Sequence, residues 1–458
     1  MQTFDASKYK EPMIQDMISL VKIPSVIDES REGAPFGIKI QKALEKALEI
    51  SKELGFRTFI DPEGYYGYGE IGEGEKLFGI LGHLDVVPPG DPEQWETPAF
   101  QPEIREGKVY GRGTQDDKGP MIAAMYGAKQ LLDQGHGFCK RLRFIFGTDE
   151  ETLWRGIEKY MEKEEVPDFG FTPDSIFPMI HAEKGLLQLY LRGEGSKEIA
   201  FGGGNSFNAL ADRAWVELKK TSEGEYEFRL RSLEGVYEKL KKENHPVKME
   251  ENRLTLYGKS AHSAKPEGGL NAINLLAKHL KEAGINNPAL NFVEGKLGLS
   301  QYGEKLFGKL EDVSGPITIN AGQLTINEEK SEIALDLRIP VTIEKNRMEE
   351  KIKEGAKEYG LTLTEHDYLE AIYLPKDHLL IRSLGEVYQK VTGEDPTPLT
   401  SGGATYARAM PNCVAFGAVL PGREKTEHQP NEHIIVEDFM KVATIYLNAI
   451  EKLTSKEG

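Results

Sequence analysis

The chain of 458 residues carries 57 Lys and Arg against 74 Asp and Glu, which gives a formal net charge of −17. That acidic balance excludes nucleic acid and anionic membranes as main partners, because both bind basic surfaces. The two cysteines exclude a disulfide framework and a four-thiol zinc site. The length predicts two or three domains of about 150 residues each.

The N-terminal segment predicts no signal peptide, since charged side chains interrupt its apolar stretches. No apolar run approaches the roughly 18 residues that span a bilayer. Together with the low cysteine count, these features lead us to expect a cytoplasmic protein.

The first third of the chain predicts helices and strands in alternation. Apolar spacing and turn residues place helices at 36–55 and 121–132, and strands at 56–60, 76–81 and 141–146. Such alternation is typical of a mostly parallel sheet that helices cover on both faces. In these sheets ligands bind beyond the carboxyl ends of the strands.

From about residue 186 the pattern changes to that of an α+β domain. Strands are predicted at 186–192, 214–219, 253–257, 317–320, 322–326 and 333–338, and helices at 236–244 and 272–283. A strand at 413–417 and a helix at 437–452 then return to the first pattern. We therefore predict an α/β domain of residues 1–185 and 381–458, interrupted by an inserted α+β domain at 186–380.

The motif Gly82-His83-Leu84-Asp85 directly follows an apolar strand. His83 and Asp85 are predicted to share a face, because alternate residues of a strand do. A carboxylate beside an imidazole is the usual support of a metal-binding histidine. A polar turn with a surface histidine is the alternative interpretation.

Two acidic motifs follow along the chain. Asp116 and Asp117 lie in a glycine-rich segment before a predicted helix, where they could bind a metal ion or cap the helix. The run Asp149-Glu150-Glu151 follows a buried-type strand. Because three adjacent carboxylates repel one another, either a cation or solvent must compensate them.

Asp174 in FTPD and His428 in HQPNE are typical turn or surface residues when each is taken alone. With His83, Asp116 and Glu151 they complete a set of two imidazoles and three carboxylates at or just beyond strand ends. That set has the ligand chemistry of a two-metal site. Zinc suits two histidines with oxygen ligands, and manganese or cobalt are alternatives.

These motifs resemble those of the zinc-dependent exopeptidase family that contains carboxypeptidase G, acetylornithine deacetylase, succinyl-diaminopimelate desuccinylase, the carnosinases and the bacterial dipeptidase PepV. The resemblance is carried in order by GHLDVVP, YGRGTQDDKGP, TDEE, FTPD, SAHSAKPEGGLNA and HQPNE. The DDKGP form and the segment at 95–120 favour the PepV-type branch. The family fold implies a catalytic domain with an inserted lid domain.

The resemblance also implies how the metal ligands are shared. Asp116 would bridge two ions. His83 and Asp174 would complete the coordination of one ion, and Glu151 and His428 that of the other.

Further roles follow from the same resemblance. Glu150 would be the general base, Asp85 would orient His83, and the peptide bond between Asp116 and Asp117 would be cis.

Five residues of the predicted lid domain and its neighbourhood are expected to contact substrate. His262 would stabilise the oxyanion, and Arg338 would hold a substrate carboxylate through its two-pronged fork. An ion pair between Arg338 and Asp336 is the alternative for that arginine. Asn208 and the pair Gly402-Gly403 are further candidate contacts.

The sequence thus predicts a metal-dependent dipeptidase that acts on short unblocked peptides, with two divalent ions and a monomeric state. The first alternative is a deacylase of N-acyl amino acids that uses the same metal site. The second is a binding protein that has kept the fold and lost catalysis, which the full set of predicted ligands disfavours.

Overall fold

The computed structural model describes residues 2–456, and the chain forms two compact units. The first unit comprises residues 2–181, 374–399 and 405–456, and the second comprises 182–373 with 400–404. The sequence-based division placed these boundaries at 185 and 381. Met1 and residues 457–458 of the predicted first domain lie outside the described residues.

The chain up to the first unit boundary alternates helices and strands as predicted. Its helices are α1 (Ala6–Val21), α2 (Ile38–Glu53), α3 (Lys118–Asp133) and α4 (Arg155–Lys163). Its strands are β1 (Arg57–Ile60), β2 (Gly67–Ile71), β3 (Leu77–His83), β4 (Glu103–Arg105), β5 (Lys108–Tyr110), β6 (Arg141–Gly147), β7 (Phe169–Thr172), β8 (Ser175–Ile176) and β9 (Ile180–Glu183).

The middle of the chain contributes antiparallel strands and shorter helices. The strands are β10 (Gly185–Glu194), β11 (Ile199–Gly203), β12 (Arg213–Leu218), β13 (Val247–Glu250), β14 (Arg253–Tyr257), β15 (Glu311–Asp312), β16 (Gly315–Pro316), β17 (Thr318–Ile326), β18 (Lys330–Ile339), β19 (Thr362–Leu369) and β20 (Ile372–Tyr373). The helices are α5 (Glu223–Lys242), α6 (Ala272–Glu282), α7 (Pro288–Phe292), α8 (Glu304–Phe307) and α9 (Lys345–Lys357).

The last part of the chain returns to long helices that flank short strands. Its helices are α10 (Leu379–Thr392) and α11 (Val436–Thr454). Its strands are β21 (Leu399–Ser401), β22 (Cys413–Ala415), β23 (Ala418–Val419) and β24 (His433–Ile435).

The first unit is built on a sheet in which β1, β2, β6, β3, β7 and β22 follow one another. Strand β3 runs parallel to β6 and β7, and β22 runs parallel to β7. Every residue of β3 is buried, as expected for a parallel strand with both faces covered. The register pairs His83 with Gly147, so the motifs that follow β3 and β6 begin side by side.

Helices α3 and α11 pack closely within the core of the first unit. Gly127 makes this approach possible, because a Cβ atom there would lie 2.9 Å from the backbone nitrogen of Leu447. Helix α3 carries its buried residues on nearly every side, which explains its weak amphipathic pattern.

The second unit contains an antiparallel sheet in the order β13, β14, β12, β11, β17, β18, β10 and β19. Buried residues alternate along β12, so one face of that strand packs on the apolar core of this unit.

Two predicted elements of the second unit differ in extent. The strands predicted at 317–320 and 322–326 form the single strand β17 with a bulge between Ala321 and Gln323. The bulge position is occupied by Gly322. A side chain would not fit there, because a Cβ atom would lie only 2.3 Å from the carbonyl oxygen of Ser206. Helix α5 begins at Glu223, well before predicted residue 236, and its first half packs Tyr226 and Leu230 against the apolar core of this unit.

Among residues 2–456, no helix is both long enough and apolar enough to cross a membrane.

Candidate active site

The predicted metal ligands meet in the first unit, beyond the carboxyl ends of its parallel strands. The imidazole of His83, which is fully buried, lies at the end of β3. Its Nε2 atom is 2.9 Å from Oδ1 of Asp116 and 3.7 Å from Oδ2 of Asp174. Asp174 follows β7, and Asp116 lies in the loop between β5 and α3.

His428 approaches the same cluster from the loop between β23 and β24. Its Nε2 atom lies 3.0 Å from Oδ2 of Asp116 and 3.1 Å from Oε2 of Glu151. Asp116 therefore faces His83 with one carboxylate oxygen and His428 with the other.

Two overlapping groups of side chains could each hold a metal ion. His83, Asp116 and Glu151 form one group, and His83, Glu150 and Asp174 form the other, each with one ligand atom per residue within 4.8 Å of the rest. The donors are imidazole nitrogens and carboxylate oxygens, which suit zinc, manganese and cobalt. The donor chemistry of the described residues thus fits divalent ions.

Burial and mutual repulsion shape the charges of this cluster. Burial, together with the negative charge of Asp116, raises the pKa of Asp174 to about 7. Burial likewise raises the pKa of Glu150 well above its usual range, with added repulsion from Asp174 and Glu151. Such repulsion is what a bound cation would relieve.

The imidazoles compensate part of this negative charge. Burial alone would lower the pKa of His83, but its hydrogen bond with Asp116 raises the value well above normal. Hydrogen bonds with Asp116 and Glu151 raise the pKa of His428 to about 10.

Asp85 supports His83 through a different atom from the one the sequence predicted. Nδ1 of His83 lies 2.9 Å from the backbone carbonyl of Asp85, whereas its distance to the carboxylate Oδ1 is 3.7 Å. The carboxylate Oδ2 instead accepts a hydrogen bond from the backbone N–H of Glu151 at 2.9 Å. Oδ1 has no hydrogen-bond partner among the described residues.

The helix-capping alternative for the DDKGP segment is wrong. Asp117 occupies the N-cap position of α3 but makes no capping hydrogen bond. Its carboxylate accepts from the backbone N–H of His83 at 3.3 Å, because the chain turns it back towards β3. The peptide bond between Asp116 and Asp117 is cis, which confirms that expectation.

The three adjacent carboxylates after β6 do not share the same surroundings. Asp149 forms an ion pair with Arg155, whose Nε lies 2.7 Å from Oδ2. Glu150 and Glu151 remain in the cluster with the imidazoles. Sequence alone could not separate them, since the division depends on where the chain turns after Gly147.

Two buried side chains near the cluster had no predicted role. Tyr406 lies with its ring 6.1 Å from that of His83, and its hydroxyl has no hydrogen-bond partner among the described residues. Glu432 is buried beside the loop that carries Asp116 and pairs with Arg112 at 2.7 Å. Glu432 belongs to the HQPNE motif, and this membership was the only feature of the sequence that could have pointed to a role for it.

The predicted substrate-binding residues lie in the second unit. The backbone of Ala209 forms an isolated bridge with that of His262, so Asn208 lies next to this segment. The N–H of Ser263 donates to the carbonyl of Asn208 at 2.8 Å, and its hydroxyl donates to Asp336 at 2.7 Å.

Arg338 completes that network. Its Nε donates to Oδ1 of Asp336 at 2.8 Å and its Nη2 to Oδ2 at 3.1 Å. Its Nη1 donates to the carbonyl of Gly402 at 2.9 Å. The ion pair that the sequence left open is therefore present. The N–H of Gly403 donates to the hydroxyl of Ser401 at 2.9 Å.

The class of protein follows from a comparison with known families. The model of peptidase family M20/M25/M40 matches residues 79–452, which include the motif residues described above. The chain belongs to this family. It is 35% identical over 463 residues to "Putative dipeptidase YtjP" of Bacillus subtilis, with 97% of each chain covered.

Solved structures of low identity share the fold. One is the M20 family metallo-carboxypeptidase Sso-CP2 of Sulfolobus solfataricus, with a TM-score of 0.58 at 17% identity over 96% of this chain and 99% of that one. Another is human carnosine dipeptidase 1, with a TM-score of 0.58 at 14% identity over 98% of this chain and 97% of that one.

Replacing Gly82 with alanine should destabilise the site. A Cβ atom at this position would lie 2.3 Å from Oδ2 of Asp117 and 2.3 Å from Cγ of Met121. Overpacking of this kind costs about 1–3 kcal/mol, which thermal unfolding should report as a lower midpoint. Gly137→Ala is the control, since nothing lies within 4 Å of a Cβ atom there. Equal midpoints for the two variants would contradict the tight packing.

Proposed function

We propose that this family member is a metal-dependent dipeptidase that hydrolyses the peptide bond of short unblocked peptides. The main structural support for this proposal is the cluster in which the carboxylate of Asp116 lies 2.9 Å from Nε2 of His83 and 3.0 Å from Nε2 of His428. The dipeptidase name of the relative at 35% identity supports the substrate class. The PepV-type branch remains part of this proposal.

Five side chains of the first unit would hold two divalent ions, with zinc as the first candidate. His83, Asp174 and Asp116 would hold one, and Asp116, Glu151 and His428 the other. When bound, such ions polarise a carbonyl oxygen and lower the pKa of water.

Glu150 is proposed as the general base of the reaction. Its carboxylate would take a proton from the attacking water and return it to the leaving amine. Burial raises the pKa of Glu150 well above its usual range, which strengthens this carboxylate as a proton acceptor. Asp85 would act as a positioning residue, through the carbonyl that accepts from His83.

The second unit is proposed to contribute His262 as an oxyanion donor and Arg338 as the partner of the substrate's terminal carboxylate. Asn208, Gly402 and Gly403 are proposed as further substrate contacts. The ion pair with Asp336 would orient the guanidinium of Arg338. These assignments rest on the family motif together with the hydrogen-bond network of this unit.

The deacylase alternative uses the same metal site and differs in the group next to the scissile bond. A dipeptide presents a free amine there, whereas an N-acyl amino acid presents none. Comparing kcat/KM for alanine-containing dipeptides with that for N-acetyl and N-succinyl amino acids decides between the two. A higher value for the acyl substrates would overturn the dipeptidase proposal.

Glu150→Ala should lower kcat on a dipeptide by at least about a hundredfold, because general-base catalysis commonly contributes that much. Metal analysis of the same variant separates two roles, since Glu150 also belongs to a group that could hold an ion. Unchanged metal content supports the base, and loss of one ion would instead make Glu150 a ligand. Glu158→Ala, on the exposed face of α4, is the control. Activity within tenfold of wild type would contradict both roles.

Removing metal with a chelator should abolish hydrolysis, and adding zinc, manganese or cobalt should restore it. The thermal midpoint should also fall on chelation, because a ligand that binds only the folded protein stabilises it. Full activity in protein that contains no metal would contradict the proposal.

Arg338→Lys should raise KM for a dipeptide by about tenfold, since lysine keeps the charge and loses the fork. The matching dipeptide amide lacks the carboxylate, so its KM should change much less. If Arg338 only maintains the fold through Asp336, both substrates should be affected equally. Steady-state kinetics on the two substrates measure this difference.

A further inference from the structure

Glu432 holds the loop that carries Asp116. Its carboxylate is fully buried, and Oε1 accepts three backbone N–H groups of that loop. They belong to Gly113 at 2.9 Å, Gln115 at 2.9 Å and Asp116 at 3.2 Å. The loop lies between β5 and α3, so no strand or helix ladder satisfies these donors.

The other carboxylate oxygen of Glu432 is occupied by an arginine. Oε2 accepts from Nη1 of Arg112 at 2.7 Å, and the arginine side chain is only 2% exposed. The guanidinium also lies 5.3 Å from the ring of Trp95. A charge-assisted hydrogen bond between two buried side chains is strong and directional, because little water competes for it.

The backbone joins the same two segments beside this side chain. The N–H of Gly111 donates to the carbonyl of Glu432 at 2.8 Å, and His433 pairs with Tyr110 in the ladder of β24 and β5. Gln115 adds another tie, because its Oε1 accepts the N–H of Thr426 at 2.7 Å.

We infer that Glu432 is a positioning residue that fixes Asp116 opposite His428, so that both can bind the same metal ion. His428 lies four residues before Glu432 on one segment, whereas Asp116 lies on the other. The inference rests on the proposed metal site and deepens it. A neutral side chain of the same shape would fill the space and would hold the loop amides less firmly.

The test measures metal binding rather than catalysis. Titrating metal-free protein with Zn²⁺ gives the affinity, and the visible absorption of the Co²⁺ form reports the coordination geometry. Glu432→Gln should bind Zn²⁺ at least about tenfold more weakly than wild type, as changes to residues that support ligands commonly do. Its Co²⁺ spectrum should also change.

Glu70→Gln is the matched control. Glu70 lies on β2 in the same unit, and its Oε2 accepts from Nε of Arg143 at 2.8 Å, with the Glu70 side chain 12% exposed. The variant breaks a comparable ion pair that holds no part of the Asp116 loop. It should lower the thermal midpoint and leave the Zn²⁺ affinity and the Co²⁺ spectrum unchanged.

Glu432→Asp keeps the charge but shortens the reach, and it serves if Glu432→Gln does not fold. It should also weaken Zn²⁺ binding, because one shorter carboxylate cannot reach both Arg112 and the loop amides. Wild-type affinity in a folded Glu432 variant would overturn the inference and leave only a structural role. If wild-type protein binds no Zn²⁺ or Co²⁺ at all, the proposed function fails, and the inference fails with it.

Discussion

Electrostatic repulsion among carboxylates at the ends of buried strands is the constraint on which the site of the first unit depends. Strand β3 is buried along its whole length, and the register places its end beside that of β6. The acidic residues that follow cannot all escape into solvent. Where water is excluded, like charges repel strongly and require a compensating cation. Divalent ions would supply that compensation at the proposed site.

The same constraint explains why so many hydrogen bonds near the cluster join segments that are distant in sequence. The carboxylate of Asp85 accepts from the backbone of Glu151, and that of Glu432 accepts from the loop of Asp116. Each such contact fixes a backbone segment at a point where side chains repel one another. Buried residues that are not themselves proposed as ligands thereby hold the proposed metal ligands in place.

In the second unit, an ion pair fixes the orientation of an arginine side chain on a strand of the sheet. Arg338 and Asp336 stand two residues apart on β18, so their side chains share one face of the strand. Two hydrogen bonds from the guanidinium to the carboxylate of Asp336 fix its orientation. Ser263 links this ion pair to the segment of Asn208. A guanidinium held in this way would lose little entropy on binding the substrate carboxylate that we propose as its partner.

The sequence by itself determined the family and the alternation of elements in the first unit, and it singled out the candidate donor residues, because spacing and residue chemistry are local properties. It could not determine that the carbonyl of Asp85 accepts from His83, that Asp149 leaves the cluster for Arg155, or that Glu432 holds the loop of Asp116. Those outcomes depend on which buried groups remain to be satisfied once distant segments have packed. Only the tertiary structure sets that condition, since hydrogen-bond partners far apart in sequence leave no periodic pattern.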